Sequence, residues 1–201
     1  MGEKVTDKQA DHDLIKRVQE GDMVAFNHIV DKYKDRLMNV IIRMIKSREE
    51  TEDIVQETFV RVYQHRKSFD FRHCLSTWIY TIALNLARNE LRKRKCFKFF
   101  DIFDMQGKEG EISVEMELPT NLPKAIEAAL NTLPEKYKMA FVLRDIQELP
   151  YDEVAKIMNI PLGTVKSRVN RARSMLREKL RPRMEEYNAL SKGTLLPVSI
   201  L

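Results

Sequence analysis

The chain has 201 residues, of which 43% are hydrophobic and 32% charged, with only six glycines and seven prolines. That length holds one domain or two small ones; so few turn formers argue against sandwiches and barrels, and the ordinary apolar fraction argues against disorder over most of the chain. Lys and Arg number 35 against 30 Asp and Glu, a net charge of +5, a total small enough to conceal strong segregation.

Cys74 and Cys96 cannot form a disulfide framework, and Cys96 stands in a Lys/Arg run. No apolar stretch approaches the ~20 residues of a membrane span. The chain is charged from Glu3 onward and lacks the apolar core of a signal peptide, although Met1-Gly2 with Thr6 fits a loose myristoylation pattern. A cytoplasmic, reduced protein is expected, without insertion into a membrane and without a cofactor or metal.

After a tail of residues 1–11, residues 12–46 read as a helical pair. Leu14, Val18, Phe26, Ile29, Val30, Tyr33, Leu37, Val40, Ile41 and Met44 recur mostly at steps of three and four, and Gly21-Asp22 breaks the run. Residues 49–66 repeat the pattern with Ile54, Val55, Phe59, Val62 and Tyr63. Their charged side is acidic: Glu49, Glu50, Glu52, Asp53 and Glu57, with Gln56 among them. Acids at a helix N-terminus are favourable through the dipole alone. Paired carboxylates also suit a metal-dependent nuclease, but those sites converge from several elements, and no His or distant Asp joins these. An exposed set of Asp53, Gln56 and Glu57 fits a docking surface for a basic partner better.

Residues 68–75 lack any period and read as a loop. Phe69, Phe71 and His73 within it suit stacking on unpaired bases, since an aromatic face accepts any base; the alternative is a hydrophobic lid. A further helix is expected over 76–95, capped by Ser76 or Thr77. It has one apolar side of Trp78, Ile79, Ile82, Ala83 and Leu86, and a second of Tyr80, Leu84, Ala87 and Leu91. A narrow polar stripe of Thr77, Thr81, Asn85, Arg88 and Arg92 runs between them. Such a helix is largely buried with one wet edge, and Trp78 belongs to its core. Arg88, Arg92, Lys93, Arg94, Lys95 and Lys98 against Glu90 make its end a cationic patch.

Over 97–123 the pattern fails. Gly107, Gly110, Pro119 and Pro123 occur there, and from Asp101 on, Asp101, Asp104, Glu109, Glu111, Glu115 and Glu117 stand against Lys108. This reads as a flexible acidic linker. Periodicity resumes over 124–181 with Ala125, Ile126, Ala129, Leu130 and Leu133, then Met139 to Ile146. Residues 182–201 form an extension ending in apolar Leu195-Leu196-Pro197-Val198. The fold class is all-α: two small helical domains, 12–96 and 124–181, joined by the linker.

Tyr151 to Arg177 carries a helix-turn-helix signature. Asp152 and Glu153 complement the start of a short helix whose apolar face is Val154, Ala155, Ile157 and Met158. Asn159-Ile160-Pro161 then breaks it, because Asn tolerates a left-handed cap and Pro suits the start of the next helix. The second helix places Leu162, Val165, Val169, Ala172 and Leu176 on one stripe, with Gly163, Lys166, Ser167, Asn170, Ser174 and Arg177 roughly opposite. Arg168, Arg171 and Arg173 flank them. A recognition helix in the major groove has this layout: Gly163 permits close approach, Lys166, Ser167 and Asn170 reach base edges, and the arginines reach phosphates. From Leu162 to Arg181 seven bases face Glu178 alone, which a merely solvated surface helix does not require. No nucleophile–base constellation or Gly-rich phosphate loop occurs, so no enzymatic activity is expected.

Two blocks carry a family resemblance. Glu52-Asp53-Ile54-Val55-Gln56-Glu57-Thr58-Phe59 with Thr77-Trp78-Ile79-Tyr80-Thr81-Ile82-Ala83-Leu84-Asn85 resembles region two of bacterial sigma factors of the extracytoplasmic-function class. Leu133-Pro134-Glu135-Lys136, Tyr151-Asp152-Glu153-Val154-Ala155 and Pro161-Leu162-Gly163-Thr164-Val165-Lys166-Ser167-Arg168 resemble their region four. The resemblance implies a dissociable RNA polymerase subunit that directs core enzyme to promoters. Asp53, Gln56 and Glu57 would dock on the clamp helices of the largest subunit, and region four would meet the flap of the second-largest. Gly163, Thr164, Lys166, Ser167, Arg168, Asn170, Arg171 and Arg173 would bind the minus-thirty-five duplex. Phe69, Phe71 and His73 with Thr77, Thr81, Asn85, Arg88 and Arg92 would hold the melted minus-ten strand. The linker would follow the polymerase channel toward the RNA exit, and an anti-sigma factor is implied as a partner. Pro150 departs from the capping Ser or Thr of many relatives. The alternative is a stand-alone helix-turn-helix regulator, which needs a sensor or dimerisation domain where the acidic and striped helices stand.

Overall fold

A computed structural model of the chain describes the backbone over residues 2–104 and 122–190, and side chains over 8–94, 124–182 and 184. Among the described residues all regular structure is helical: α1 (Gly2–Gln19), α2 (Met23–Ile45), α3 (Arg48–Gln64), α4 (Leu75–Asp104), α5 (Leu122–Asn131), α6 (Glu135–Phe141), α7 (Tyr151–Met158) and α8 (Leu162–Leu190). Two compact units are formed, residues 1–107 with 152–159 and residues 108–151 with 160–201.

The breaks between the first helices are local chemistry. Gly21 turns the chain at φ +98°, a left-handed value that costs glycine little. Asp22 then caps α2, its carboxylate accepting from the Val24 N–H at 2.9 Å and the Ala25 N–H at 3.0 Å. Lys46 closes α2 in the left-handed region, its N–H donating to the Ile42 carbonyl at 2.9 Å. Ser47 follows as the cap of α3.

α2 is the centre of the first unit, packing on α1, α3 and α4, while α3 also packs on α4. Ile15, Val18, Ile29, Tyr33, Leu37, Val40, Ile41, Val55, Val62, Leu75, Ile79, Tyr80, Ala83, Leu84 and Ala87 are each at most 2% exposed. Burying an aliphatic side chain of this size stabilises by roughly 1.5–3 kcal/mol. One buried carboxylate joins the core: Asp11 accepts from the Tyr33 hydroxyl at 2.5 Å and from the Lys32 ammonium at 2.7 Å, tying α1 to α2.

Several boundaries differ from the sequence-based expectation. The chain is already helical from Gly2, so residues 1–11 are not a separate tail. α4 begins at Leu75, which puts Ser76 and Thr77 inside its first turn rather than at its cap, and it continues to Asp104. The first eight residues of the expected linker, 97–104, are therefore helical; Glu109, Glu111, Glu115 and Glu117 lie outside the described residues. α8 likewise runs through Pro182 to Leu190, losing one N–H bond to the ladder, and Leu195 to Val198 lie outside the description.

In the second unit, α5 and Leu133 bring Ala125, Ala129 and Leu130 against Ala172, Leu176 and Leu180 of α8, with Tyr137, Phe141 and Met175 packed around them. α6 passes into one π turn over Val142–Ile146, whose wider spacing is seen in the Gln147 N–H donating to the Val142 carbonyl at 2.9 Å. Leu162, expected on the buried stripe of α8, is 41% exposed because it is the first residue of that helix.

The packing of α2 predicts that Leu37→Ala, at a fully buried position, destabilises the first unit by about 2–5 kcal/mol. Denaturant unfolding followed by circular dichroism measures this, and a loss below 1 kcal/mol contradicts the packing described.

Candidate functional site

Three surfaces gather the expected site residues. On α3, the buried set Ile54, Val55, Thr58, Phe59 and Val62 turns the other side to solvent, and Asp53, Gln56 and Glu57 are all exposed there. Glu57 accepts from Arg61 at 2.7 Å and Glu52 from Arg48 at 2.9 Å, both one turn apart, pairs worth only a few tenths of a kcal/mol in water. Beside this acidic row a groove runs between α2 and α3, lined by Met23, Phe26, Val30, Gln56, Val60 and Tyr63 among others. Met23 and Val60 are about half exposed, at 50% and 46%. The groove's margins carry both signs, Lys34 and Arg48 with Asp35 and Glu52.

The second surface is the turn before α4 and the polar edge of α4 itself. A 3-10 turn over Arg66–Ser68 leads into it. Asp70 organises the turn: its carboxylate accepts from the Arg72 N–H at 2.9 Å and from the Arg72 guanidinium at 2.6–3.0 Å. Those bonds, the side-chain ones foremost, draw the Asp70 carboxyl down to about 2. Phe71 is 40% exposed, and Arg72 and His73 are exposed. Phe69 departs from the expectation: at 5% exposure its ring is packed against Trp78 at 5.2 Å and Phe71 at 5.2 Å, so it supports the turn instead of offering a free face. The loop is thus partly lid, through Phe69, and partly open, through Phe71 and His73.

Along α4 the polar stripe is graded. Thr77 is buried, Thr81 half-buried with its hydroxyl donating to the Thr77 carbonyl at 2.7 Å, Asn85 and Arg92 exposed, and Arg88 half-buried. Burial, and secondarily Arg92, lower the Arg88 pKa. Arg94, counted in the cationic patch by sequence, instead donates to the Ile45 carbonyl at 3.0 Å and pairs with Glu50, holding α4 to the end of α2. The Cys74 thiol is pushed up to about 11, chiefly by burial, a shift that disfavours the thiolate. Among the described residues no group of His, Cys, Asp and Glu is arranged to hold a metal.

The third surface is the exposed face of α8, which α7 and a turn precede in the chain. α7 has Asp152 and Glu153 in its first turn and ends at Asn159 in the left-handed region, φ 54°, as its sequence requires. The Pro161 carbonyl then starts α8, accepting from the Thr164 and Val165 N–H groups at 2.9 and 3.1 Å. On α8, Val165, Val169 and Ala172 are fully buried, while Gly163, Lys166, Ser167, Asn170 and Arg171 are exposed and Thr164 and Arg168 half-buried. The Ser167 hydroxyl donates to the Thr164 carbonyl at 2.9 Å. A side chain at Gly163 would meet nothing within 4 Å, so no neighbour inside the chain demands glycine there. Arg173 departs from the expected phosphate role: it donates twice to Asp145 of the π turn, at 2.8 and 2.5 Å, bonds that raise its pKa. Asp145 is a residue that sequence reasoning missed, since nothing local marks a partner 28 residues away.

Comparison with known proteins places these surfaces in two matched segments. The family described as Sigma-70 region 2 matches residues 29–96, and Sigma-70, region 4 matches residues 124–176. The chain is 40% identical over 178 residues to the ECF RNA polymerase sigma factor SigW of Bacillus subtilis, across 83% of this chain and 95% of that one. It is 33% identical over 194 residues to the ECF RNA polymerase sigma-E factor of Haemophilus influenzae, across 92% and 100%. A solved complex of the sigma factor RpoE with the anti-sigma factor NepR from Bartonella quintana is similar in structure, with TM-score 0.63 and 26% identity over 78% of this chain and 96% of that one.

The Asp70 turn yields a pH prediction. A carboxyl depressed from 3.8 to about 2 favours the folded turn above the unfolded value, and that contribution is lost as pH falls through 3.8 toward 2. An NMR titration should therefore place the Asp70 midpoint near 2 in the parent and move it upward toward 3.8 in Arg72→Ala. An unshifted midpoint in the variant contradicts the assigned cause.

Proposed function

The chain belongs to the extracytoplasmic-function RNA polymerase sigma factors and directs transcription initiation, and from that premise we propose how its surfaces divide the work. The acidic row of α3, Asp53, Gln56 and Glu57, with the apolar groove beside it, docks on the clamp helices of the largest polymerase subunit. Residues 124–181 meet the flap of the second-largest subunit, and α8 enters the major groove of the minus-thirty-five element. Lys166, Ser167 and Asn170 reach base edges there, Gly163 and Thr164 allow the helix start to approach, and Arg168 and Arg171 hold phosphates. Arg173, tied to Asp145, sets the pitch of α8 rather than gripping the backbone.

The melted minus-ten strand lies on Phe71, His73 and the edge of Thr81, Asn85, Arg88 and Arg92, with Phe69 and Thr77 beneath as support. Capturing a splayed base offsets its unstacking, roughly a few kcal/mol, so opening needs no catalytic residue. The observation that carries duplex reading is the division of α8 into a fully buried stripe and an exposed face of Lys166, Ser167, Asn170 and Arg171. The protein acts in the cytoplasm, with its polymerase; no described helix is long and apolar enough to cross a membrane. The NepR complex of the Bartonella relative supports a further partner of the same kind, an anti-sigma factor that holds this chain inactive.

Run-off transcription with core polymerase tests the reading. Promoter-specific transcript is expected with core enzyme; an operator footprint by the protein alone, with no transcript, favours a stand-alone regulator. Asp53→Ala with Gln56→Ala should weaken core binding by about tenfold or more, the loss of two or three polar contacts, while duplex binding by the isolated protein persists. Arg171→Ala should weaken binding to all duplexes alike and reduce the slope of log affinity against log salt by about one; an unchanged slope removes Arg171 from the phosphate set.

A further inference from the structure

We propose that His12 of α1 is a positioning residue for capture of the melted minus-ten strand, fixing the turn that presents Phe71 and His73. The inference rests on the strand-capture reading above and extends it to a helix that precedes the matched region-two segment, which starts at residue 29.

The His12 Nε2 lies 2.9 Å from the His73 carbonyl oxygen. A carbonyl only accepts, so Nε2 carries the proton and the tautomer is set by this bond. The same imidazole meets Phe69 edge-on at 5.9 Å and 70°, and Phe71 at 5.5 Å and 87°. Phe69 and Phe71 meet each other at 5.2 Å and 77°, which closes a triangle of three rings. Phe69 also leans on Trp78 of α4, so the triangle is anchored to α4 through Phe69 and to α1 through His12.

The consequence falls on the exposed members. The backbone of His73 is pinned from both sides: its carbonyl accepts from the His12 Nε2–H, and its N–H donates to the Asp70 carbonyl at 3.0 Å. The Phe71 ring rests on both the His12 ring of α1 and the buried Phe69 ring, which also meet each other. An irregular turn without such ties must be ordered when a base arrives, and that ordering is subtracted from binding; a turn ordered beforehand keeps it. Asp70 and Arg72 organise the turn internally, Phe69 seats it on α4 through Trp78, and His12 seats it on α1.

The test uses holoenzyme assembled with core polymerase, on four fork-junction templates that differ at the unpaired minus-ten position where the parent discriminates most. The readouts are the affinity ratio between best and worst base, the rate of promoter opening by permanganate reactivity, and core affinity. His12→Ala should lower both the ratio and the opening rate by about three- to tenfold, the effect of losing one neutral hydrogen bond, with core affinity unchanged. His12→Gln, which can offer an amide N–H to the same carbonyl, should recover part of the loss, whereas His12→Phe, which keeps a ring but no donor, should not. If His12→Ala does not fold, the Gln and Phe variants, which fill the site, decide by the same comparison. Parent-like ratio and opening in both Ala and Phe variants, or in Gln and Phe alike, overturns the role of His12 alone. A parent holoenzyme that discriminates no base at any minus-ten position overturns strand capture itself, and the His12 proposal with it.

Discussion

The double burial of α4 is the constraint on which the rest of the first unit depends. Leu75, Ile79, Ala83, Tyr80, Leu84 and Ala87 are all at most 1% exposed, so the helix is clasped by α2 and α3 on two sides and cannot rotate without exposing one of them. At 100° per residue, two buried stripes leave one narrow edge. The polar residues Thr81, Asn85, Arg88 and Arg92 are confined to that edge, and the turn before Leu75 is delivered to its upper end. A site built on an immovable helix holds its groups in fixed geometry before any ligand arrives. Helix α8 obeys the same logic with a single stripe: Val165, Val169 and Ala172 are buried, and Lys166, Ser167, Asn170 and Arg171 are left outside.

The charges are best understood as a consequence of this packing. A net charge of +5 says little about any one surface, because acids gather on α3 and bases on α4 and α8. Some of the bases are removed from duty by internal partners. Arg94 is spent on the Ile45 carbonyl and Glu50, and Arg173 on Asp145. The bases left without an internal partner are therefore fewer than the sequence count suggests.

Much of this was legible in the sequence, and the misses have physical reasons. Periodic apolar residues found all the long helices, and Gly21-Asp22 and Asn159-Ile160-Pro161 found two of their breaks, because a left-handed residue and a missing N–H act locally. The extension of α4 to Asp104 was not legible from apolar period, yet no Gly or Pro occurs between Leu75 and Gly107, and Lys and Phe do not stop a helix. α8 runs on into the extension that begins at Pro182, because a helix can pass through one proline at the loss of one bond. Within the site, Asp53, Gln56, Glu57, Asn85, Lys166 and Asn170 stood out because exposure follows from helical phase. The inward turn of Phe69 and the parts played by Asp145 and His12 did not. Irregular backbone has no phase to reveal which aromatic turns inward, and partners such as Asp145–Arg173 and His12–His73 lie 28 and 61 residues apart, where local patterns are silent.

Capture of the melted minus-ten strand by the turn before α4 and the polar edge of α4, as proposed above, is open to direct test. The most direct measurement is site-specific photocrosslinking in the open complex, from a photoreactive base placed at each minus-ten position of the non-template strand, with the attached peptides mapped by mass spectrometry. The account predicts crosslinks to residues 71–73 and to the edge around Asn85, Arg88 and Arg92. Crosslinks confined to α8, or to polymerase subunits with none on residues 69–92, would contradict it.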